Sequence, residues 1–413
     1  MNIVDKLRQI ESLQIITEVN PRHESQSQAK ISIEQALNGK TRESVHGRFF
    51  VCEKQYSLDF KHGALRLSSL LNISASFLAL VGKNDQIQNV DLKKLLFIDT
   101  ETTGLAGGSG TYAFLIGVGY FKEDRFHLAQ FFMNDLHEET AILNEVSTLA
   151  SQHDLLVSYN GKSYDIPLLH SRNTVNRIKS QLTAVLHLDL LHAVRRMWKH
   201  LLPDCSLGSA EKCLLQVERD GDVPGYLIPQ MYFDFLRDKD PLPLKPIFYH
   251  NQQDILSMVG LTTLAMQTFE NPLAATKNRQ DVVSLGKIFE EMSLYEQSIE
   301  LMDGFLADTP AEKDRQELLI RTAFNYKKVR NWTRATKIWL ECIGTQNFHP
   351  VPYIELAKYY EHKEKDHLKA KSLVDSALKE LEILFSFNPQ NAWQEYRQDL
   401  LYRQKRLIKK LQT

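Results

Sequence analysis

A short apolar segment that ends in two acids constrains the fold of this chain more than any other feature. Residues 95–98 form an unbroken apolar run, which is typical of a strand buried on both faces. Asp99 and Glu101 follow it, and residues two apart in a strand point to the same face. Neighbouring carboxylates repel each other unless a cation lies between them, and their oxygen atoms suit Mg²⁺ or Mn²⁺. The alternative is a strand-end turn with two solvated acids.

Patterns of strand and helix surround this run. Apolar and aromatic segments predict four further strands, at residues 111–121, 126–133, 155–159 and 186–190. Apolar residues at helical spacing predict helices at residues 138–151, 191–198, 206–215 and 247–268. Three successive strands followed by alternating helices and strands predict a mixed five-stranded α/β sheet covered by helices.

The strand patterns stop in the last third of the chain. Residues 284–384 contain only amphipathic helical patterns, in which Tyr295, Trp332 and His367 begin similar segments. Their spacings are close to the tetratricopeptide period of about 34 residues. We therefore predict tetratricopeptide-like helical repeats at residues 280–390, of which the third needs one extra residue in its turn. An irregular helical bundle is the alternative.

Two later segments carry acids in similar settings. Asp165 follows a predicted strand and an Asn160-Gly161 turn signal, and it enters the next helix. Asp254 lies in a helix four residues after His250, so both side chains are on one helix face. Each has an ordinary alternative. An acid at a helix start is often a cap, and a histidine in a helix is more often a surface or core residue.

Together these segments resemble a known family of nucleases. Their order, intervals and contexts resemble the three exonuclease motifs of the DEDD superfamily of ribonuclease-H-like proteins. Four segments are more closely similar to the YprB-type ribonuclease-H-like proteins: DTETTGLAGGSGT (99–111), HLDLLHAVRRMW (187–198), CSLGSAEKCLL (205–215) and HNQQDI (250–255). The resemblance extends from about residue 45 to about residue 270 and, more weakly, into the repeats.

This resemblance implies a ribonuclease-H-like fold and a metal-dependent nuclease, with 3′→5′ exonuclease activity as the leading expectation. Asp99, Glu101, Asp165 and Asp254 would hold two divalent ions, Mg²⁺ or Mn²⁺, which bind the attacking and leaving oxygens of a phosphodiester. His250 would act as the general base. The substrate would be nucleic acid, either DNA or RNA.

One position departs from the superfamily pattern. Its members place a histidine five residues before the last aspartate or a tyrosine four residues before it, and this chain has Tyr249 and His250 in exchanged slots. We favour His250 as the base because its neutral pKa suits proton transfer and because it shares a helix face with Asp254. Tyr249 would lie roughly 140° away on an ideal helix.

Other side chains near the motifs are weaker candidates. Thr102, Asn160 and Tyr164 would contact the terminal nucleotide of the substrate. The glycine-rich segment at residues 104–110 lacks the Gly-Lys-Ser/Thr ending of a phosphate-binding loop, which argues against ATP binding. Asp189 is either an auxiliary acid or the N-cap of the following helix, and the cap is the more common role.

The net charge does not exclude a nucleic-acid substrate. The whole chain has 50 basic and 51 acidic side chains, for a formal net charge of −1. Residues 95–275, however, carry 14 basic and 21 acidic side chains, so both flanking segments are mildly basic. An acidic middle suits metal ligands, and basic flanks suit a phosphate backbone.

The sequence also predicts a compartment. No segment approaches the roughly 18 consecutive apolar residues of a membrane span, and residues 1–20 lack the apolar core of a signal peptide. The four cysteines are scattered without the spacing of a zinc site or a disulfide framework. We expect a cytoplasmic protein with reduced cysteines and no membrane partner.

The domain organisation follows from these patterns. We predict an N-terminal arm or linker (1–44) and an extension packed on the nuclease domain (45–94). The ribonuclease-H-like domain (95–272), the helical repeats (280–390) and a basic C-terminal helix (391–413) follow. The repeats would bind a protein partner. Two competing functions stay open: a structure-specific endonuclease of the same fold, and a scaffold or nucleic-acid-binding protein with little catalysis. The complete set of four acids favours an active enzyme.

Overall fold

The computed structural model describes residues 31–104, 110–308, 312–345, 347–387 and 393–412. Within these ranges the strands are β1 (Lys40–Ser44), β2 (Gly47–Ser57), β3 (Lys61–His62), β4 (Leu65–Arg66), β5 (Leu95–Thr102), β6 (Ala113–Lys122), β7 (Arg125–Phe132), β8 (Leu155–Ser158) and β9 (Leu186–Asp189). Seven of them form one sheet in the order β1-β2-β7-β6-β5-β8-β9, and β3 pairs with β4 separately.

Strand β5 lies inside the sheet with its apolar run covered on both faces. Leu95 and Phe97 belong to one hydrophobic core, whereas Leu96 and Ile98 belong to a second core on the opposite face. The strand pairs antiparallel with β6 and parallel with β8. Full burial ends at Asp99, so the acids begin where the covered part of the strand ends.

Helices cover both faces of the sheet. They are α1 (Ile33–Leu37), α2 (Ser68–Leu71), α3 (Phe77–Gly82), α4 (Glu139–Ser151), α5 (Asp165–Val175), α6 (Leu190–Trp198), α7 (Leu207–Ala210), α8 (Ile228–Asp238) and α9 (Lys245–Glu270). The core around Leu96 includes side chains of α4, α5 and α8, and the core around Leu95 includes side chains of α3, α6 and α9. This arrangement is the predicted mixed α/β layer structure.

Helix α9 approaches the sheet closely because β6 carries two glycines beneath it. A Cβ atom at Gly117 would lie 2.1 Å from Oδ1 of Asn251, and one at Gly119 would lie 2.5 Å from Cγ2 of Ile255. Any larger residue at either position would push the helix outward. The two glycines thus set the depth at which α9 presents its side chains to the end of β5.

The C-terminal region is entirely helical in the described ranges. Its helices are α10 (Pro272–Ala275), α11 (Arg279–Glu291), α12 (Tyr295–Asp308), α13 (Glu312–Lys328), α14 (Trp332–Ile343), α15 (Pro350–Tyr359), α16 (His367–Phe387) and α17 (Gln394–Gln412). Helices α12, α14 and α16 begin at Tyr295, Trp332 and His367, the residues that begin the three similar sequence segments. Buried residues of α11 to α14 share one core with the sheet domain, so the two regions are packed together. No described helix is long and apolar enough to cross a membrane.

The third helix pair contains a π-helical turn. This turn, Tyr360–Glu364, extends α15, and Lys365 then adopts a left-handed conformation with φ of 59°. A π-turn adds one residue without breaking the helix. Ala357, Ala370 and Ala377 are fully buried between the paired helices, as expected for small residues at a close helix contact.

The N-terminal part of the structure differs from the predicted organisation. Helix α1 and strand β1 lie within residues 33–44, which the sequence assigned to an arm, and residues 1–30 lie outside the described residues. Strand β1 pairs with β2, and β2 pairs with β7, so the five predicted strands are extended to seven. The sequence of β1 is KTRES, and its mostly exposed edge position explains why no apolar pattern marked it.

A buried ion pair joins α4 to α5, the helix that begins at Asp165. Arg172 of α5 donates two hydrogen bonds of 2.6 Å to the carboxylate of Glu139 in α4, and both side chains are less than a tenth exposed. Asn176 donates a further hydrogen bond of 2.8 Å to Glu139. We expect Arg172→Met to lower the free energy of unfolding by about 3–5 kcal/mol, because it leaves Glu139 charged and buried without its main partner. Urea unfolding monitored by circular dichroism measures this loss.

The matched control is the double variant Glu139→Gln/Arg172→Met. It removes the unpaired charge and should recover part of the lost free energy of unfolding. Equal losses in the single and double variants would contradict the assignment of the loss to an uncompensated charge.

Candidate functional site

The acids of the three predicted motifs converge at one edge of the sheet. Asp99 and Glu101 lie on β5, Asp165 is the first residue of α5 after β8, and Asp254 lies in α9. Because β5 and β8 are parallel neighbours, their carboxyl ends meet at the same edge. Helix α9 crosses this edge and brings Asp254 and His250 to it.

Three of the predicted residues form a compact set of ligand atoms. Glu101, His250 and Asp254 each offer one atom, and these atoms all lie within 4.8 Å of one another. Nε2 of His250 is 3.6 Å from Oδ2 of Asp254. The two carboxylates suit a divalent cation, and the imidazole lies beside them.

The local electrostatics also fit a cation. Removal from water raises the pKa of Asp99 well above its ordinary value, and the charges of Asp254 and Asp165 raise it further. The pKa of Glu101 is raised for the same reasons, by burial first and then by Asp99 and Asp254. Acids whose pKa values are raised by each other gain most when a positive charge is placed among them. The residues present therefore fit a divalent metal ion.

Asp165 lies on the α5 side of the cluster. Burial raises its pKa to about 6, although the hydroxyl of Thr100 donates a hydrogen bond to its Oδ1 atom. The turn before it requires a small residue, since a Cβ atom at Gly161 would lie 2.4 Å from Oγ of Ser158. Asn160 precedes that glycine with a left-handed φ of 65°. The Asn-Gly signal in the sequence therefore marks the turn that aims Asp165.

A chain of buried amides holds Asp99 in place. Nδ2 of Asn251 donates a hydrogen bond of 2.8 Å to Oδ2 of Asp99. The Oδ1 atom of Asn251 accepts a hydrogen bond of 2.9 Å from Gln130 of β7, which also donates to the carbonyl of Phe248. The absence of a side chain at Gly117 makes room for this contact. The orientation of Asp99 thus depends on three elements of the fold.

An arginine bridges Asp254 to two further acids. Arg219 donates hydrogen bonds to Asp254 and to Glu211, and it forms a 3.1 Å ion pair with Asp222. Its side chain is only 11% exposed, so these interactions are sheltered from water. Arg219 therefore supplies a fixed positive charge that holds one oxygen of Asp254.

His250 is oriented by a carboxylate. Its Nδ1 atom is 2.8 Å from Oδ1 of Asp222, a contact that suits a hydrogen bond from a protonated Nδ1. In that tautomer Nε2 carries a lone pair and points toward the Asp254 side of the cluster. Asp222 thus selects which nitrogen of His250 can accept a proton.

The remaining predicted residues line a cleft beside the acids. Its volume is about 690 Å³, and Thr102, Asn160 and Tyr164 are among its lining residues, together with Asp99 and Asp165. Tyr164 is 58% exposed, so its ring is available to a ligand.

Asp189 does not line this cleft. It caps α6 through the amide of Leu191, and it also accepts hydrogen bonds from the amides of Asn160 and Lys162. Asp189 is therefore the N-cap of α6. Most of the glycine-rich segment, residues 105–109, lies outside the described residues.

Sequence reasoning missed several residues of this site. Arg219 and Asp222 lie in the charged loop ERDGD, which looks like solvated surface because nothing in its spacing points to the acids. Asn251 is adjacent to His250 in the recognised motif, and an amide there was a usable signal. Gln130 lies in a predicted strand. Its only signal was that it is a polar residue among apolar and aromatic ones.

Comparisons with known proteins agree with this architecture. Residues 96–266 match the family model of the RNase_H superfamily. The chain is 32% identical to the uncharacterized protein YprB of Bacillus subtilis (strain 168) over 336 residues. This aligned stretch covers 79% of each protein. The chain belongs to the YprB-type family of ribonuclease-H-like proteins. Membership of this superfamily supports a nuclease that acts on nucleic acid and uses divalent metal ions.

The raised pKa of Asp165 predicts a pH dependence of stability in the metal-free protein. Because its pKa rises from 3.8 to about 6, the folded state binds a proton that the unfolded state releases at lower pH. The stabilisation that comes from proton binding to folded Asp165 is present at low pH and is lost as the pH rises through about 6. Asp99 and Glu101 act in the same direction. We expect Asp165→Asn to gain stability relative to wild type as the pH increases, measured by urea unfolding in EDTA.

The exposed Asp124 offers a matched control. Asp124→Asn removes one carboxylate far from the cluster and should follow the wild-type pH profile. A parallel profile for Asp165→Asn would contradict the effect of burial on Asp165.

Proposed function

We propose that this protein is a metal-dependent 3′→5′ exonuclease that uses a two-metal mechanism. The observation that carries the proposal is the convergence of Asp99, Glu101, Asp165 and Asp254 at one sheet edge, with raised pKa values for the first three. Acids held this close destabilise the folded protein unless a cation binds between them. The superfamily match supports the general class of reaction.

The four acids would hold Mg²⁺ or Mn²⁺. When bound, such ions polarise the phosphodiester and stabilise negative charge on the attacking and leaving oxygens. Asn251 fixes the orientation of Asp99, and Arg219 fixes that of Asp254. These contacts leave the other oxygen of each carboxylate available to a ligand.

His250 would act as the general base. Asp222 holds Nδ1, so Nε2 is free to accept a proton from the attacking water. Its position next to Asp254 keeps that proton transfer close to the proposed ligands. Thr102, Asn160 and Tyr164 would bind the terminal nucleotide in the adjoining cleft, with the exposed ring of Tyr164 stacking on a base.

The tetratricopeptide assignment is part of the same proposal. Three helix pairs and buried small residues, such as Ala323 and Ala335, support it. In this interpretation the helical region presents a surface for a protein partner while it packs on the nuclease domain.

The decisive assay incubates purified protein with Mn²⁺ and 3′- or 5′-labelled single- and double-stranded DNA and RNA. We expect stepwise shortening from the 3′ end that EDTA abolishes. Asp99→Asn should reduce cleavage to the level of buffer alone while its circular dichroism spectrum stays native. Internal cuts at defined structures would instead identify an endonuclease, and no metal-dependent cleavage of any substrate would contradict the proposal.

Substitutions at neighbouring positions test the base. His250→Gln should lower kcat by at least about 100-fold, because the group that accepts the proton of the attacking water is lost. Tyr249→Phe is the matched control, one residue away on the same helix, and should retain wild-type activity. The reverse result, in which Tyr249→Phe is inactive and His250→Gln is active, would assign the base to Tyr249.

A further inference from the structure

A second pocket lies in the helical region and shares no residue with the cleft beside the acids. Its volume is about 290 Å³. Its lining comes from α13, α14, α15, the π-turn and α17: Lys327, Trp332, Glu355, Lys358, Tyr359, His362, Lys363, Arg403 and Arg406. We call it the cationic pocket because five of these side chains are lysine or arginine and only one is an acid.

Two buried carboxylates hold most of the cations in place. Glu355 is 5% exposed and accepts hydrogen bonds from Lys327 and Lys358, the latter at 2.7 Å. Glu361 is fully buried and contacts Arg403 and Arg406, two of the lining residues.

Glu361 accepts hydrogen bonds from three cations. They come from Arg403 at 2.7 Å, from Arg406 at 2.6 Å and from Lys410 at 2.8 Å. Burial alone would raise the pKa of Glu361, but the hydrogen bonds from Arg406 and Lys410 outweigh it and lower the pKa to about 2. The anchoring carboxylates are thus ionised, and they fix long side chains that would otherwise be mobile.

The cations outnumber these anchors. Five basic side chains donate hydrogen bonds to the two carboxylates, which leaves a positive excess over these two acids. Lys363 has no carboxylate partner among the described residues, and its Nζ atom lies 5.3 Å from the ring centre of Trp332. Nε of Arg403, a residue only 7% exposed, has no hydrogen-bond partner among the described atoms. An anionic ligand would satisfy this excess.

Aromatic rings form one wall of the pocket. Trp332 and Tyr359 stack with ring centres 5.8 Å apart and an angle of 29° between their planes. Nζ of Lys327 is 5.9 Å from the ring centre of Trp332. Stacked rings next to fixed cations match the pattern of bases and phosphates in a single-stranded nucleic acid. An acidic peptide would use the cations but has no comparable use for the ring pair.

We propose that the cationic pocket is a second binding site for single-stranded nucleic acid, distinct from the catalytic cleft. Phosphates would contact Lys363, Lys358 and Arg406, and a base would stack on Trp332. The proposal rests on the proposed function, since it takes the nuclease substrate as the ligand. It assigns to the helical region a role in holding the polymer.

Binding in EDTA tests this site without cleavage. Fluorescence anisotropy of the full-length protein uses labelled oligothymidylate and oligouridylate of about 20 nucleotides. We expect Trp332→Leu to weaken binding by about 5-fold or more, since stacking dominates such sites. Lys363→Glu should also weaken binding and reduce the salt dependence by about one phosphate contact. Lys337→Glu, an exposed lysine of α14 outside the pocket, is the matched control and should bind as wild type does.

The outcomes separate this proposal from the nuclease proposal. Weaker binding by both pocket variants, with an unchanged control, supports the site even if no substrate is cleaved. Wild-type binding by both pocket variants overturns the site even if the protein is an active nuclease. Binding of polyglutamate that depends on Trp332 and is tighter than that of either oligonucleotide also overturns it and assigns the pocket to acidic peptides.

Discussion

Repulsion among carboxylates at the end of a buried strand is the constraint on which the rest of this structure depends. The apolar residues 95–98 fix β5 inside the sheet, so Asp99 and Glu101 cannot move apart without disturbing two hydrophobic cores. Asp165 and Asp254 then add charge to the same edge. The raised pKa values of Asp99, Glu101 and Asp165 reflect the free energy that it costs to hold these acids together. A divalent cation placed among them would offset this cost.

Contacts from several elements of the fold position these acids. Glycines in β6 admit α9, an amide chain from β7 orients Asp99, and Arg219 restrains Asp254. The ion pair between Arg172 and Glu139 secures the helix that begins with Asp165. Each support comes from a different element, which is how a site gains precision from a rigid scaffold. The helical region adds to this scaffold because its first helices share a core with the sheet domain.

The elements with strong local patterns were predicted well, and the weakly patterned elements were not. The five predicted strands, and the helices that begin at Tyr295, Trp332 and His367, lie where apolar runs and helical spacing placed them, because burial imposes such patterns on a segment. Strand β1 was missed since its sequence KTRES carries no apolar face, and its pairing with β2 depends on the neighbouring chain. In the third of the similar segments only the structure shows the π-turn at Tyr360–Glu364.

The sequence by itself determined the class of fold, because apolar runs and turn signals are local properties, and its resemblance to a known family pointed to four acids that the structure brings together. The partners of those acids were decided by tertiary structure. Arg219 reaches Asp254 across 35 residues of chain, and Gln130 reaches Asn251 across 121. Neither contact leaves a periodic trace, since a hydrogen bond between distant segments constrains one residue at a time. The same reason hid the cationic pocket, whose walls come from four helices and a turn that only folding brings together.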